Sequence, residues 1–148
     1  MKTYQQHEES LNDYAKRSKY NGDIVKNLIG DSILHTYIKT TDAYSNANSK
    51  DRKEMLDESF ECLSTYILLR GADSAKYGTL MKNFVSQYSL GNNQYPTKRS
   101  AGIDALSKHT FDEKYNERKK RMAEKNKYKG KRKDDESQLE QQLSLIHI

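Results

Sequence analysis

Between Lys114 and Lys133 the chain reads KYNERKKRMAEKNKYKGKRK, and its cations crowd together as nowhere else. Eleven residues are basic (Lys114, Arg118, Lys119, Lys120, Arg121, Lys125, Lys127, Lys129, Lys131, Arg132 and Lys133), and only Glu117 and Glu124 oppose them. The local balance is +9, so with a net charge of +5 for the whole chain the remainder carries −4. Such a density attracts phosphates by counterion release, which is the chemistry of single-stranded nucleic-acid binding with little sequence preference. Tyr115 and Tyr128 lie inside the run and can add base stacking; Tyr128 is the better placed, flanked by Lys127 and Lys129. The same residues also read as a solvated extension of the last helix or as a nuclear localisation signal. Asp134, Asp135 and Glu136 bound the run on its carboxyl side.

No other group of residues points to a reaction. Glu58 and Cys62 have the i, i+4 spacing of a metal pair, but no third ligand lies nearby in sequence, and packing is the expected role of Cys62. Asp57 and Glu58 are adjacent and so point in different directions on a helix, which suits a solvated face rather than paired acid and base work. His7 and His35 fall on or near apolar helix faces and His109 closes a short helix, so packing and capping are expected of them. His147 belongs to the terminal hexamer LSLIHI. The glycines follow neither a phosphate-binding nor a dinucleotide-binding pattern. The expectation is therefore a protein without enzymatic activity, metal, cofactor or small-molecule substrate.

The elements that must carry the basic run are helices, because no strand alternation of useful length occurs. An all-α bundle of about five helices is expected. The first spans Thr3 to Lys19, with Thr3 and Gln6 at capping-box spacing and Asn21-Gly22-Asp23 ending it. Asp23 then caps a second, striped by Val25, Ile29, Ile33 and Tyr37, with a possible break at Gly30. The polar segment KTTDAYSNANSK reads as a loop. A third helix from Lys50 to Arg70 carries Leu56, Phe60, Leu63 and Ile67 along one face, and Gly71 stops it. Asp73 caps a fourth, whose Tyr77, Leu80, Met81, Phe84 and Tyr88 repeat the stripe up to Gly91. These two stripes predict a central antiparallel helical hairpin. Pro96 cannot continue that helix but suits the start of the next, expected from Thr97 to His109 with Ile103 and Leu106 inward. Residues 111–142 are expected to be a basic, partly disordered tail.

Composition agrees with a modest core. The chain has 148 residues, 34% hydrophobic and 32% charged, with one cysteine, which excludes an internal disulfide. The longest apolar run, Tyr66 to Leu69, is too short to cross a bilayer, and MKTYQQHEES contains no secretory signal, so a soluble protein is expected.

Arg70-Gly71-Ala72-Asp73, Lys76-Tyr77-Gly78, an amphipathic stretch, Gly91, Tyr95-Pro96 and a short following helix together resemble the Gag-type capsid region of copia-like LTR retrotransposons, especially microalgal ones. The resemblance covers Tyr4 to His109 and is most specific over Ala72 to Leu106. It implies a capsid-like domain at 1–110 that self-associates into shells around element RNA, as cytoplasmic particles, with the nucleus as the second compartment. Two departures stand out: Gly102 occupies a position where such proteins usually place Ala, and a zinc knuckle cannot be built from Cys62 alone. The terminal LSLIHI, 143–148, resembles a translated sequencing adapter and is expected to be non-native. Met1 is read as an internal methionine. The alternative is a monomeric helical RNA-binding or adaptor protein that shares the hairpin.

Overall fold

Ser10, rather than Thr3, begins the first helix: its hydroxyl accepts the Asp13 N–H at 3.1 Å and caps α1, Leu11–Ile29. The computed structural model describes residues 4–146, so Thr3 lies outside the described residues. Residues 4–10 form a strap instead of a helical turn. The Glu9 carboxylate accepts the Gln6 N–H at 3.1 Å and the Arg17 guanidinium at 2.7 and 2.9 Å, so the capping-box glutamine is held in a turn before the helix begins.

The expected stop at Asn21-Gly22-Asp23 does not occur, and α1 runs through it to Gly30, whose φ of 89° ends it. Gly22 persists inside the helix against α4, where an added Cβ would lie 3.5 Å from Ser64 Oγ. The expected second helix is correspondingly cut down to a 3-10 turn, Asp31–Leu34, and α2, His35–Lys39. The expected loop contains one short helix, α3, Asp42–Asn46, because Thr41 Oγ1 accepts the Tyr44 N–H.

The remaining boundaries follow the expected punctuation. Asn48 caps α4, Ser49–Gly71, and Asp73 caps α5, Ser74–Ser89, with Gly91 at φ 81° beyond its end. After Pro96 come α6, Arg99–Lys108, and α7, Glu113–Ile146. Of the stretch 111–142 expected to be partly disordered, all but the first two residues thus lie in this one helix of 34 residues. Its Lys, Glu, Arg and Gln content favours helix strongly, and Glu117 precedes Arg121 at the stabilising i, i+4 spacing. All regular structure among the described residues is helical.

The core consists of Tyr14, Leu68, Leu69, Ala72, Tyr77, Phe84 and Leu106, with Leu80, Met81, Tyr95 and Ile103 packed around it. The expected hairpin core needs correction. Tyr77 and Phe84 are buried, while Leu56, Phe60, Leu80 and Met81 are half-buried. Leu63, Ile67 and Tyr88 are exposed, at 38%, 45% and 62%. The reason is that α4 packs on α6, on the 3-10 turn and on α2, and α5 packs chiefly on α7, so α4 and α5 touch each other little. The buried face of α4 is consequently Thr65, Leu68 and Leu69. Phe60, Leu63 and Ile67 instead line an open apolar cleft with Tyr14, Gly22 and Val25 of α1. Cys62, expected to pack, is exposed.

Tyr14 ties the first helix to this core. Its buried hydroxyl donates to the Leu68 carbonyl at 2.7 Å, satisfying one of the end carbonyls of α4, and burial pushes its pKa up to about 12.

Two glycines make opposite predictions. At Gly22 a Cβ has ordinary room, so Gly22→Ala should stabilise the fold by about 0.5 to 1 kcal/mol through helix propensity. At Gly102 a Cβ would meet the Thr65 methyl at 2.9 Å, and Thr65 is fully buried. Gly102→Ala should therefore lower stability by about 1 to 3 kcal/mol. Thermal unfolding of both variants checks the pair, and an increase in both midpoints would mean that α6 is free to back away from α4.

Candidate nucleic-acid interface

The basic helix is attached to the body through two carboxylates. Asp112, just before α7, accepts the Thr79 N–H at 2.9 Å, the Thr79 hydroxyl at 2.6 Å and a hydrogen bond from His109 Nε2 at 3.0 Å. Its own N–H donates to the Lys76 carbonyl at 3.0 Å. Burial alone would raise its pKa, but the hydrogen bonds from Thr79 and His109 outweigh that and hold it below the ordinary value. Gly78 makes the approach possible, since a Cβ there would stand 3.3 Å from Asp112 Oδ2.

Asp73 provides the second attachment. It is 6% exposed, and its two oxygens receive the Arg118 guanidinium at 3.0 and 2.5 Å in a bidentate pair. The same carboxylate caps α5 through the Ala75 N–H at 3.0 Å, while the Asp73 N–H donates to Gln5 Oε1 at 3.0 Å. Burial pushes Asp73 upward, yet the bonds from Arg118 and Ala75 and the positive charges of Arg118 and Lys76 keep its pKa lowered. The bond to Asp73 correspondingly raises Arg118.

Aromatic rings close the joint between these two points. Phe111 sets its ring edge-on to Tyr77 at 5.8 Å and to Tyr115 at 4.9 Å. Lys76, buried to 8% exposure, places Nζ 5.0 Å from the centroids of both Phe111 and Tyr115, and Arg118 lies 5.4 Å from Tyr115. Two residues of the basic run therefore leave the expected nucleic-acid surface: Arg118 serves Asp73, and Tyr115 packs in the joint. Sequence spacing could not separate them from their neighbours. The signal was present in Asp73 and Lys76, one helical turn apart on a different helix, and it needed the fold to connect them.

The other expected contacts remain available. Lys114, Lys119, Lys120, Arg121, Lys125, Lys127, Lys129, Lys131, Arg132 and Lys133 are all exposed, and Tyr128 is 71% exposed. Every residue from Lys119 to Ser144 is exposed, although Lys119 and Met122 still line a shallow cleft with His7 and Glu8 of the strap. Among the described residues no three His, Cys, Asp or Glu side chains gather as a metal site, and no helix is long and apolar enough to cross a membrane.

Removing one partner of the Asp73 pair should cost about 3 kcal/mol, because it leaves a largely desolvated charge uncompensated. Asp73→Asn tests this nearly isosterically, and adding Arg118→Met should recover part of the loss. The folded-state pKa values of Asp73 and Asp112 lie below the ordinary 3.8, so folding keeps both carboxyls ionised where the unfolded chain binds protons. Their contribution is fully present above that pH and is lost as the pH falls through the lowered values. Thermal midpoints should drop in that acid range, less steeply for Asp73→Asn; an identical acid limb in both proteins would remove Asp73 from the account.

Comparison with protein-family models, curated proteins and solved structures finds no match to this chain.

Proposed function

We propose that this chain is a structural, non-enzymatic Gag-like protein whose helical body self-associates and whose helix α7 contacts the RNA to be packaged. The observation that carries the nucleic-acid part is the set of ten exposed cations between Lys114 and Lys133, displayed on a helix that projects away from an otherwise acidic chain. Phosphates are the partner this charge density favours, and Tyr128 between Lys127 and Lys129 supplies an exposed ring for stacking. Self-association rests on the resemblance of Ala72 to Leu106 to capsid regions. Val85, Tyr88 and Leu90, exposed at 52%, 62% and 79%, supply apolar surface on and just after α5 for a weak interface multiplied by symmetry.

Fluorescence anisotropy on a labelled RNA tests the contact. The body must be left whole, because Phe111, Asp112 and Arg118 belong to it, so the comparison is with a full chain carrying Gln at Lys125, Lys127, Lys129, Lys131, Arg132 and Lys133. If about six to ten cations contact phosphates, wild-type affinity should fall on the order of a thousandfold between 50 and 200 mM salt, and the variant should bind more weakly with a shallower slope. Equal binding, or binding insensitive to salt, removes the nucleic-acid role. Sedimentation over a wide concentration range, with and without RNA, should show reversible growth in mass. A strict monomer throughout favours an adaptor.

A further inference from the structure

The outer part of α7 carries the opposite charge to the part before it. No Lys or Arg follows Lys133, while Asp134, Asp135, Glu136 and Glu140 do. These four make up the whole −4 outside the basic run, since residues 1–113 hold fifteen bases and fifteen acids. Within their own helix they are poorly served. The favoured order of acid before base at i, i+4 is unavailable to them, and Glu136 and Glu140 are like charges at that spacing. Among the described residues no ion pair holds any of the four. Every side chain from Lys125 to Glu140 is exposed, and these residues divide into strips around the helix. At about 100° per residue, Tyr128, Arg132, Asp135 and Leu139 share a line about 60° wide, with the spacing of a helix-pairing seam. Lys127, Lys131, Asp134 and Gln138 flank it on one side, and Lys125, Lys129, Lys133, Glu136 and Glu140 on the other. The back is neutral: Asn126, Gly130 and Ser137.

We propose that α7 pairs antiparallel with α7 of a second copy of this chain, about a two-fold axis between Lys133 and Asp134. This contact is between protein chains and stands apart from RNA binding. In that register Tyr128 meets Leu139 of the second copy and Arg132 meets its Asp135, and the two-fold repeats both pairs. A two-fold perpendicular to both helices also turns each flank toward the same flank of the other copy. Asp134 then lies within about 3 Å along the axis of the other copy's Lys131, Glu136 of its Lys129 and Lys133, and Glu140 of its Lys125 and Lys129. Every acid of the outer helix finds a cation. Tyr128 and Leu139, 71% and 59% exposed, cover each other. A second copy is the occupant because this surface is its own complement, whereas the acidic end repels a phosphate chain. The contact is about 20 Å long and largely ionic, so it is weak and salt-sensitive, and it gains strength where the bodies also associate. From Lys114 to Glu140 each chain brings eleven bases against six acids, or +5, so the pair carries +10 and still attracts phosphates.

Cysteine cross-linking of the full chain, without RNA, reads the register directly. Cys62 is exposed and is first removed as C62S. Y128C and L139C, both at exposed positions, are added singly to that background, and each variant is oxidised alone and in an equal mixture. The mixture should give a disulfide-linked dimer of one Y128C and one L139C chain, identified by mass spectrometry of the linked peptides. Neither variant alone should link to itself, because like positions lie about 16 Å apart along the paired helices. The yield should fall several-fold between about 0.1 and about 1 M salt, as the screening length drops from about 10 Å to about 3 Å. Adding D134K/D135K to both chains should abolish the link. Each variant linking to itself instead would mean parallel pairing and overturn the register. No linked dimer in the mixture, even where sedimentation shows growth in mass, would assign self-association to the body alone and overturn the pairing. A yield indifferent to salt and to D134K/D135K reports random collision and overturns it too.

Discussion

A single buried carboxylate sets the terms for this fold. Asp73 cannot be ionised at 6% exposure without compensation, and its compensation comes from elements far apart in the chain. Arg118 of α7 supplies the countercharge, Ala75 of α5 donates its N–H to the same carboxylate, and Gln5 of the amino-terminal strap receives the neighbouring N–H. The Gln5 N–H in turn donates to the Gly71 carbonyl at 2.8 Å, satisfying the end of α4. One charge therefore fixes where the strap, the α4–α5 turn and α7 lie relative to each other. Apolar burial between Leu68, Leu69, Tyr77 and Leu106 supplies the driving force; the ion pair selects the arrangement.

The local signals of the sequence were legible where one residue decides a boundary. Asp73 as a cap, Gly91 in the left-handed region and Pro96 ahead of α6 all act through their own backbone or their nearest neighbours, so no knowledge of the fold is required. The amino-terminal half was harder to read. Asn21-Gly22-Asp23 carries the chemistry of a turn, but packing of α1 against α4 overrides it, and the true break falls at Gly30. The stripe of α4 misled for a related reason. Leu56, Phe60, Leu63 and Ile67 are correctly spaced, yet α6 packs on a different face of this helix, that of Thr65, Leu68 and Leu69. Periodicity identifies a helix but not its neighbour.

The candidate site divides along the same line. Charge density alone identified the basic segment, because a net charge is additive along a sequence. Which cation stays free is a pairwise property. Arg118 differs from Lys119 only in facing Asp73 across 45 residues of chain, and Tyr115 differs from Tyr128 only in having Phe111 and Lys76 beside it. The carboxyl side of the expected domain boundary near residue 110 moves for this reason, since the first turns of α7 complete the body.

The attachment of α7 also has a mechanical side. From Lys119 to Ile146 the helix is a lever of about 40 Å, anchored at one end by Arg118 and by the Asp112 cluster. A load applied to its outer turns is delivered to the Asp73 ion pair as torque. Because Asp73 also holds the strap through Gln5, bending the lever loosens the amino-terminal segment and the start of α5 together. The force-bearing joint and the folding joint are the same few atoms.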